Sequence, residues 1–120
     1  CAWGCNNTLL AYTYSDFNQG YQNTQHIIST CSASECAARM CDNYSVNGLS
    51  DWFLPSVDEL KVVYKSLRKE NIISTDYNYL WSSTEIDMTH AYMVAFYSTG
   101  ATVNSQLKNW KSSVAPIRRF

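Results

Sequence analysis

The stretch Ser50–Lys69, SDWFLPSVDELKVVYKSLRK, constrains the fold more than any other part of the 120-residue chain. Pro55 fixes its own backbone φ and so favours a rigid turn. Ser56 is a favoured N-cap residue, and Glu59 stands three residues later, where it completes a capping box. These signals predict a turn followed by a helix over Ser56–Lys69.

The predicted helix carries two stripes of residues at helical spacing. One is apolar and is typical of a face buried against a core. It comprises Leu60, Val63, Tyr64 and Leu67. The other is basic and displaced by one residue, so we expect it to line a neighbouring, exposed face. It comprises Lys61, Lys65, Arg68 and Lys69.

Charge is distributed unevenly along the chain, although the formal net charge is only −1. Residues 1–60 hold one Lys or Arg against six Asp and Glu, a balance of −5. Residues 61–120 hold eight against four, a balance of +4. Half of these eight cations form the helix stripe, and the others lie near the C-terminus. They are Lys108, Lys111, Arg118 and Arg119.

The eight cations predict a surface that binds sulfates, phosphates or carboxylates. The alternative is a basic face that is merely solvated, because folding can mix charges that are segregated in sequence. Nucleic acid is disfavoured as the polyanion, since the pI is about 6.1 and the cysteines indicate an exported protein.

Five cysteines lie in the first 41 residues, at positions 1, 5, 31, 36 and 41. No pair has C-x-x-C spacing, which argues against a zinc site. Disulfides are therefore expected, and with them an oxidising compartment. The odd count leaves at least one cysteine unpaired, with Cys1 as the candidate. Cys36 and Cys41, five apart on one predicted helix, should face away from each other, and the connectivity stays open.

The remaining chain predicts an α+β order, with helices early and antiparallel sheet late. Hydrophobic residues make up 46% of the chain, which suits one folded domain over residues 1–120. No segment approaches the length of a membrane span, and any export signal would lie upstream. The predicted elements are a strand at Leu9–Tyr14, helices at Tyr21–Thr30 and Ser34–Asn43, a strand in YLWSST, a hairpin in AYMVAFYSTGATVNSQL, and an edge strand in SVAPIRRF.

Catalytic motifs are missing from the sequence, which contains no G-x-S-x-G, no H-E-x-x-H and no P-loop. A non-enzymatic protein without a cofactor is therefore expected. Glu85 and Asp87 are the one carboxylate pair that suits a divalent cation, although no EF-hand spacing surrounds them.

Four motifs occur in order: SDWFLPSVDEL, LWSSTE, AYMVAF followed by TG, and VAPIRRF. Together they resemble the bacterial domain family typified by the C-terminal domain of the Legionella collagen-like adhesin, over residues 5–120. The chain departs from the family pattern at Ala115, where an arginine is usual, while Arg118 and Arg119 remain. The E-P-N and W-N-D calcium signatures of sugar-binding C-type lectins are also missing, so a calcium-coordinated monosaccharide is not expected.

The resemblance implies a C-type-lectin-like fold and a head domain at the C-terminal end of a longer, stalked protein. It further implies a homotrimer, secreted or held at the bacterial surface, that binds sulfated glycosaminoglycans such as heparin and takes part in host attachment, aggregation and biofilm formation. Within this pattern Trp52, Leu54, Trp81 and Phe96 are predicted to be core residues.

Two other functions remain open from the sequence. One is a protein-binding or trimer-assembly module that uses exposed Tyr and Trp side chains. The other is an enzyme related to the sulfatase-modifying branch of the lectin-like superfold, which would need an activated pair of cysteines.

Overall fold

Three helices precede three strands in the part of the chain that the computed structural model describes, residues 1–32, 36–69, 78–97 and 100–118. Side chains are described throughout these ranges except at 64–69, 78, 96 and 97. The order confirms the predicted α+β class. The elements are α1 (Gly20–Thr30), α2 (Ala37–Asp42), α3 (Val57–Lys69), β1 (Asn78–Glu85), β2 (His90–Tyr97) and β3 (Gly100–Leu107).

The strands form an antiparallel sheet in the order β1-β2-β3. β2 and β3 make the predicted hairpin, in continuous register from His90 opposite Leu107 to the far ends of both strands. The pairing of β1 with β2 shifts register between Trp81 and Glu85. A bulge of this kind re-aims side chains and increases local twist.

The bulge of β1 contains a run of buried polar residues, Ser82, Ser83 and Thr84. The Ser82 hydroxyl donates to the carbonyl of Tyr92 at 2.8 Å, and the Thr84 hydroxyl donates to the carbonyl of Tyr14 at 3.1 Å. Both side chains therefore satisfy backbone carbonyl groups.

The main core lies between the helices and one face of the sheet, and it contains Trp3, Leu54 and Trp81, each no more than 1% exposed. The core prediction is thus confirmed for Leu54 and Trp81. It is wrong for Trp52, which is half-buried at the surface with its indole N–H donating to the carbonyl of Leu49 at 2.9 Å. The side chain of Phe96 lies outside the described residues.

The predicted strand at Leu9–Tyr14 is wrong. Ala11 and Tyr12 have φ angles of 57° and 55°, which are incompatible with extended pairing. The segment is held instead by a side chain, because the amides of Leu10 and Ala11 donate to the Glu85 carboxylate at 2.9 and 2.8 Å.

The predicted edge strand at residues 113–120 is also wrong over its described part, residues 113–118. Ser113 makes an isolated parallel bridge with Leu80, and Ile117 makes an isolated antiparallel bridge with Phe53. Pro116, between them, has no N–H to continue a ladder. Residues 119 and 120 lie outside the described range.

One disulfide joins Cys5 to Cys31 and ties the N-terminal segment to the end of α1. Cys1, Cys36 and Cys41 are free thiols, so Cys36 and Cys41 are not paired with each other and Cys1 is unpaired, as expected. Burial raises the pKa of Cys41 to about 12, which keeps this thiol protonated near neutral pH.

Candidate functional site

The start of α3 is organised by the predicted capping box, which the structure confirms. The Ser56 amide donates to Glu59 Oε1 at 3.0 Å, and the Glu59 amide donates to Ser56 Oγ at 3.4 Å. Two helix-end amides are thereby satisfied by side chains. The first residues of α3 are thus fixed in place by local bonds.

The loop before α1 is tied to this helix start on both sides of Phe17. The Ser56 hydroxyl donates to the carbonyl of Asp16 at 2.8 Å, and the Gly20 amide donates to Glu59 Oε1 at 2.9 Å. A Cβ at position 20 would overlap Glu59 Oε1 and the Phe53 ring, so only glycine fits there. The loop and α3 therefore form one rigid wall.

The basic stripe of α3 begins at Lys61, which is exposed. The helix continues through positions 65, 68 and 69, as the stripe requires, while the side chains of Lys65, Arg68 and Lys69 lie outside the described residues. Val62 is 48% exposed, and positions 65 and 69 follow it by three and seven residues. Helical spacing puts these three positions on one face.

Lys108 does not belong to an exposed basic surface, which corrects the prediction made for it. Its side chain is fully buried, and its Nζ lies 2.5 Å from Glu85 Oε2. The ammonium also donates to the carbonyl of Thr8 at 2.9 Å and lies 4.9 Å from the ring centroid of Trp3. The Lys108 ammonium is therefore paired inside the protein, where a polyanion cannot contact it.

Arg118 is half-buried beside the start of the DWFLP segment. Its Nε and Nη2 donate to the two carboxylate oxygens of Asp51 at 2.6 and 3.0 Å. This bidentate bond lowers the pKa of Asp51 and raises that of Arg118. The guanidinium carbon lies 5.9 Å from the ring centroid of Trp52, so the cation also rests against an aromatic side chain.

The two other C-terminal cations differ in position. Lys111 is exposed, but its backbone bridges to Ala2 at the start of the chain, and it lines neither of the cavities that Arg118 lines. Arg119 lies outside the described residues. Of the four C-terminal cations, the structure thus brings Arg118 beside α3, buries Lys108, and places Lys111 elsewhere.

Arg118 lines two adjoining cavities, and we call the two cavities together the Arg118 groove. The larger, of about 630 Å³, extends towards Phe17 and the first turn of α1. The smaller, of about 450 Å³, extends towards Leu49 and Trp52. Both are lined by Val63, Ile117 and Arg118. Val62 also lines the larger cavity, so the groove borders the helix face that holds positions 65 and 69.

The carboxylates of Glu85 and Asp87 are engaged in separate hydrogen-bond networks. Glu85 is bound to Lys108, whereas Asp87 Oδ1 accepts from the amides of Thr89 and His90 at 2.9 and 2.7 Å. The Thr89 amide is the largest of several hydrogen-bond contributions that lower the pKa of Asp87 to about 2. Among the described residues no group of three or more His, Cys, Asp or Glu side chains forms a metal site.

Sequence reasoning missed the Arg118 groove. The sequence predicts that Trp52, which lines the groove, is a core residue. The available signal was the run of aromatic and amide side chains at 17–22, but only the bonds of Ser56 and Glu59 show that this run faces α3.

Comparison with protein families, with curated proteins and with solved structures finds no match to this chain. No helix in the described ranges has the length and apolar character needed to cross a membrane.

Proposed function

We propose that the chain is a non-enzymatic adhesin domain that binds sulfated glycosaminoglycans, with the basic stripe of α3 contacting the sulfates and Arg118 contacting the same polysaccharide chain beside it. The family resemblance supports this function and, with it, a C-type-lectin-like fold, a homotrimer, and a secreted or surface-bound location. The α+β order and the antiparallel sheet are consistent with that fold. The proposed contact set is Lys61, Lys65, Arg68, Lys69, Arg118 and Arg119.

The observation that carries the proposal is the position of Arg118 next to α3. Val62 and Arg118 line the same cavity, and Val62 shares its helix face with positions 65 and 69. The helix face that holds positions 65 and 69 and the distant Arg118 therefore border one groove. A row of cations spaced along a helix suits a linear polyanion, whose sulfates repeat along a chain.

A salt titration on immobilised heparin tests the proposal with matched variants. Lys61→Glu reverses a charge on the stripe, and Lys111→Glu makes the same change on the surface near Ala2. We expect Lys61→Glu with Lys65→Glu to weaken binding about tenfold at 0.1 M salt, since screened charges carry the affinity. Lys111→Glu should elute close to the unchanged protein.

Two results would overturn the proposal. One is heparin binding that persists in 1 M salt, where screening reduces interactions between exposed charges to a range of about 3 Å. The other is unchanged elution of the Lys61→Glu, Lys65→Glu protein. Mass determination in solution on the same sample tests the proposed trimer.

A protein-binding or assembly module is the second candidate, and one observation favours it. Large apolar side chains are exposed in the segment before and at the start of α1, where aromatic residues make good protein contacts. They are Leu9, Tyr12, Tyr14, Phe17 and Tyr21, each between 42% and 73% exposed. Association that is insensitive to salt and is lost in Tyr12→Ser with Tyr14→Ser would favour this function over the first.

A further inference from the structure

We infer that the Arg118 groove holds the uncharged ring faces and hydroxyl groups of a glycosaminoglycan chain, while its sulfates contact the basic stripe of α3. This inference rests on the proposed function and assigns a separate, non-ionic part of the recognition to the groove.

The charges inside the groove are already compensated, which makes it a poor site for a sulfate. The Arg118 guanidinium is paired with both oxygens of Asp51. Glu59 also lines the groove, is 5% exposed, and brings a further carboxylate. A sulfate placed here would meet the Glu59 carboxylate and a guanidinium that is already paired with Asp51. Neutral hydroxyls have no such penalty, because they donate to carboxylates and accept from the remaining guanidinium N–H groups.

The side chains at the α1 end of the groove match a sugar ring. Phe17 is 55% exposed and offers an aromatic surface for the C–H face of a pyranose. Gln19 and Gln22 also line the groove, and neither side-chain amide has a hydrogen-bond partner among the residues that the structure describes. An amide both donates and accepts, as vicinal hydroxyls do.

The groove wall that carries Phe17 is held in position before any ligand arrives. The neighbours Asp16 and Gly20 are bonded to Ser56 and Glu59 at the start of α3. A preformed wall loses little conformational entropy when a ligand binds. Weak stacking and hydrogen bonds to side-chain amides therefore contribute more fully to the binding free energy.

The groove extends from Phe17 past Arg118 to Trp52, with an aromatic side chain at each end. Val62 forms its rim on the α3 side and shares its helix face with positions 65 and 69. A chain lying in the groove therefore presents its outer edge, where sulfates project, to the basic stripe.

Titration calorimetry with two hexasaccharides tests the inference: one from heparin, and the same one after complete desulfation and N-acetylation. Phe17→Ala and Gln22→Ala change exposed groove residues, and Tyr12→Ala is the matched control, because Tyr12 is an exposed aromatic side chain outside the groove lining. We expect each groove variant to weaken both ligands by about fivefold to tenfold. Tyr12→Ala should bind both ligands as the unchanged protein does.

The outcomes separate the inference from the proposed function. If Lys61→Glu weakens heparin binding while Phe17→Ala and Gln22→Ala leave both ligands unchanged, the groove inference is wrong and the charge proposal stands. If the desulfated ligand binds through the groove while heparin shows no salt dependence, the proposed charge-driven function fails and the groove stands. If neither hexasaccharide binds at millimolar concentration, both are wrong.

Discussion

Lys108 and Glu85 form an ion pair inside the protein, with their side chains 0% and 2% exposed and Nζ 2.5 Å from Oε2. The pair connects the residue after β3 to the end of β1. Glu85 also accepts hydrogen bonds from the backbone amides of Leu10 and Ala11. These bonds fix the irregular N-terminal segment against the sheet. The polar contacts of both charges are thus made within the protein.

Replacing Lys108 with Met should destabilise the fold strongly, by about 3–5 kcal/mol, because it leaves the buried Glu85 carboxylate without its counter-charge. The free energy of unfolding from urea titration measures the effect. Lys61→Met is the control, since an exposed lysine should change it by less than about 0.5 kcal/mol. Equal stability of the two variants would contradict the ion-pair assignment.

Truncating Glu59 should cost more than truncating Ser56, although both belong to the capping box. Ser56→Ala removes one cap, worth about 1 kcal/mol. Glu59→Ala leaves the buried amides of Ser56 and Gly20 unpaired, which we expect to cost about 3 kcal/mol. Thermal unfolding checks the order. Asp58→Ala, in the same helix turn, should cost less than about 1 kcal/mol, and a larger loss there would point to the helix dipole instead.

Acid should remove the stabilising contribution of Asp87. Its pKa is lowered from 3.8 to about 2, so the unfolded chain takes up the proton first as pH falls. The contribution is present above pH 3.8 and is lost on descending to pH 2. The difference in stability between the unchanged protein and Asp87→Asn should therefore shrink across this range in denaturant titrations. A difference independent of pH would show that the carboxylate charge is not responsible.

Thiol labelling of the native protein should distinguish Cys1 from Cys41. Cys1 is partly exposed, whereas Cys41 is buried and its pKa is raised to about 12. Since the thiolate is the reactive form, we expect Cys1 to react with iodoacetamide well before Cys41, as followed by peptide mass spectrometry. Labelling in denaturant is the control and should remove the difference. Comparable native rates would contradict the burial of Cys41.

Features set by neighbouring residues were predictable from the sequence, whereas those set by distant pairing were not. The Ser56–Glu59 box lies within one helix turn, so its residues reveal it directly. By contrast, the positive φ angles of Ala11 and Tyr12 accompany backbone bonds to Glu85, about 74 residues away. Lys108 resembles any surface lysine until its partner is known. The basic stripe was readable from helical spacing, but the closeness of α3 to Arg118 depends on the bridge between Phe53 and Ile117.

The Arg118 groove is assembled from four separate pieces of chain: the loop that holds Phe17, the segment at Leu49–Phe53, α3, and the C-terminal segment at Ile117. None of these pieces can form the groove alone, so any ligand that fits it binds the folded chain and not the unfolded one. Folding and binding are then thermodynamically linked. A ligand at one hundred times its Kd would stabilise the protein by about 2.7 kcal/mol, and its concentration would raise the Tm.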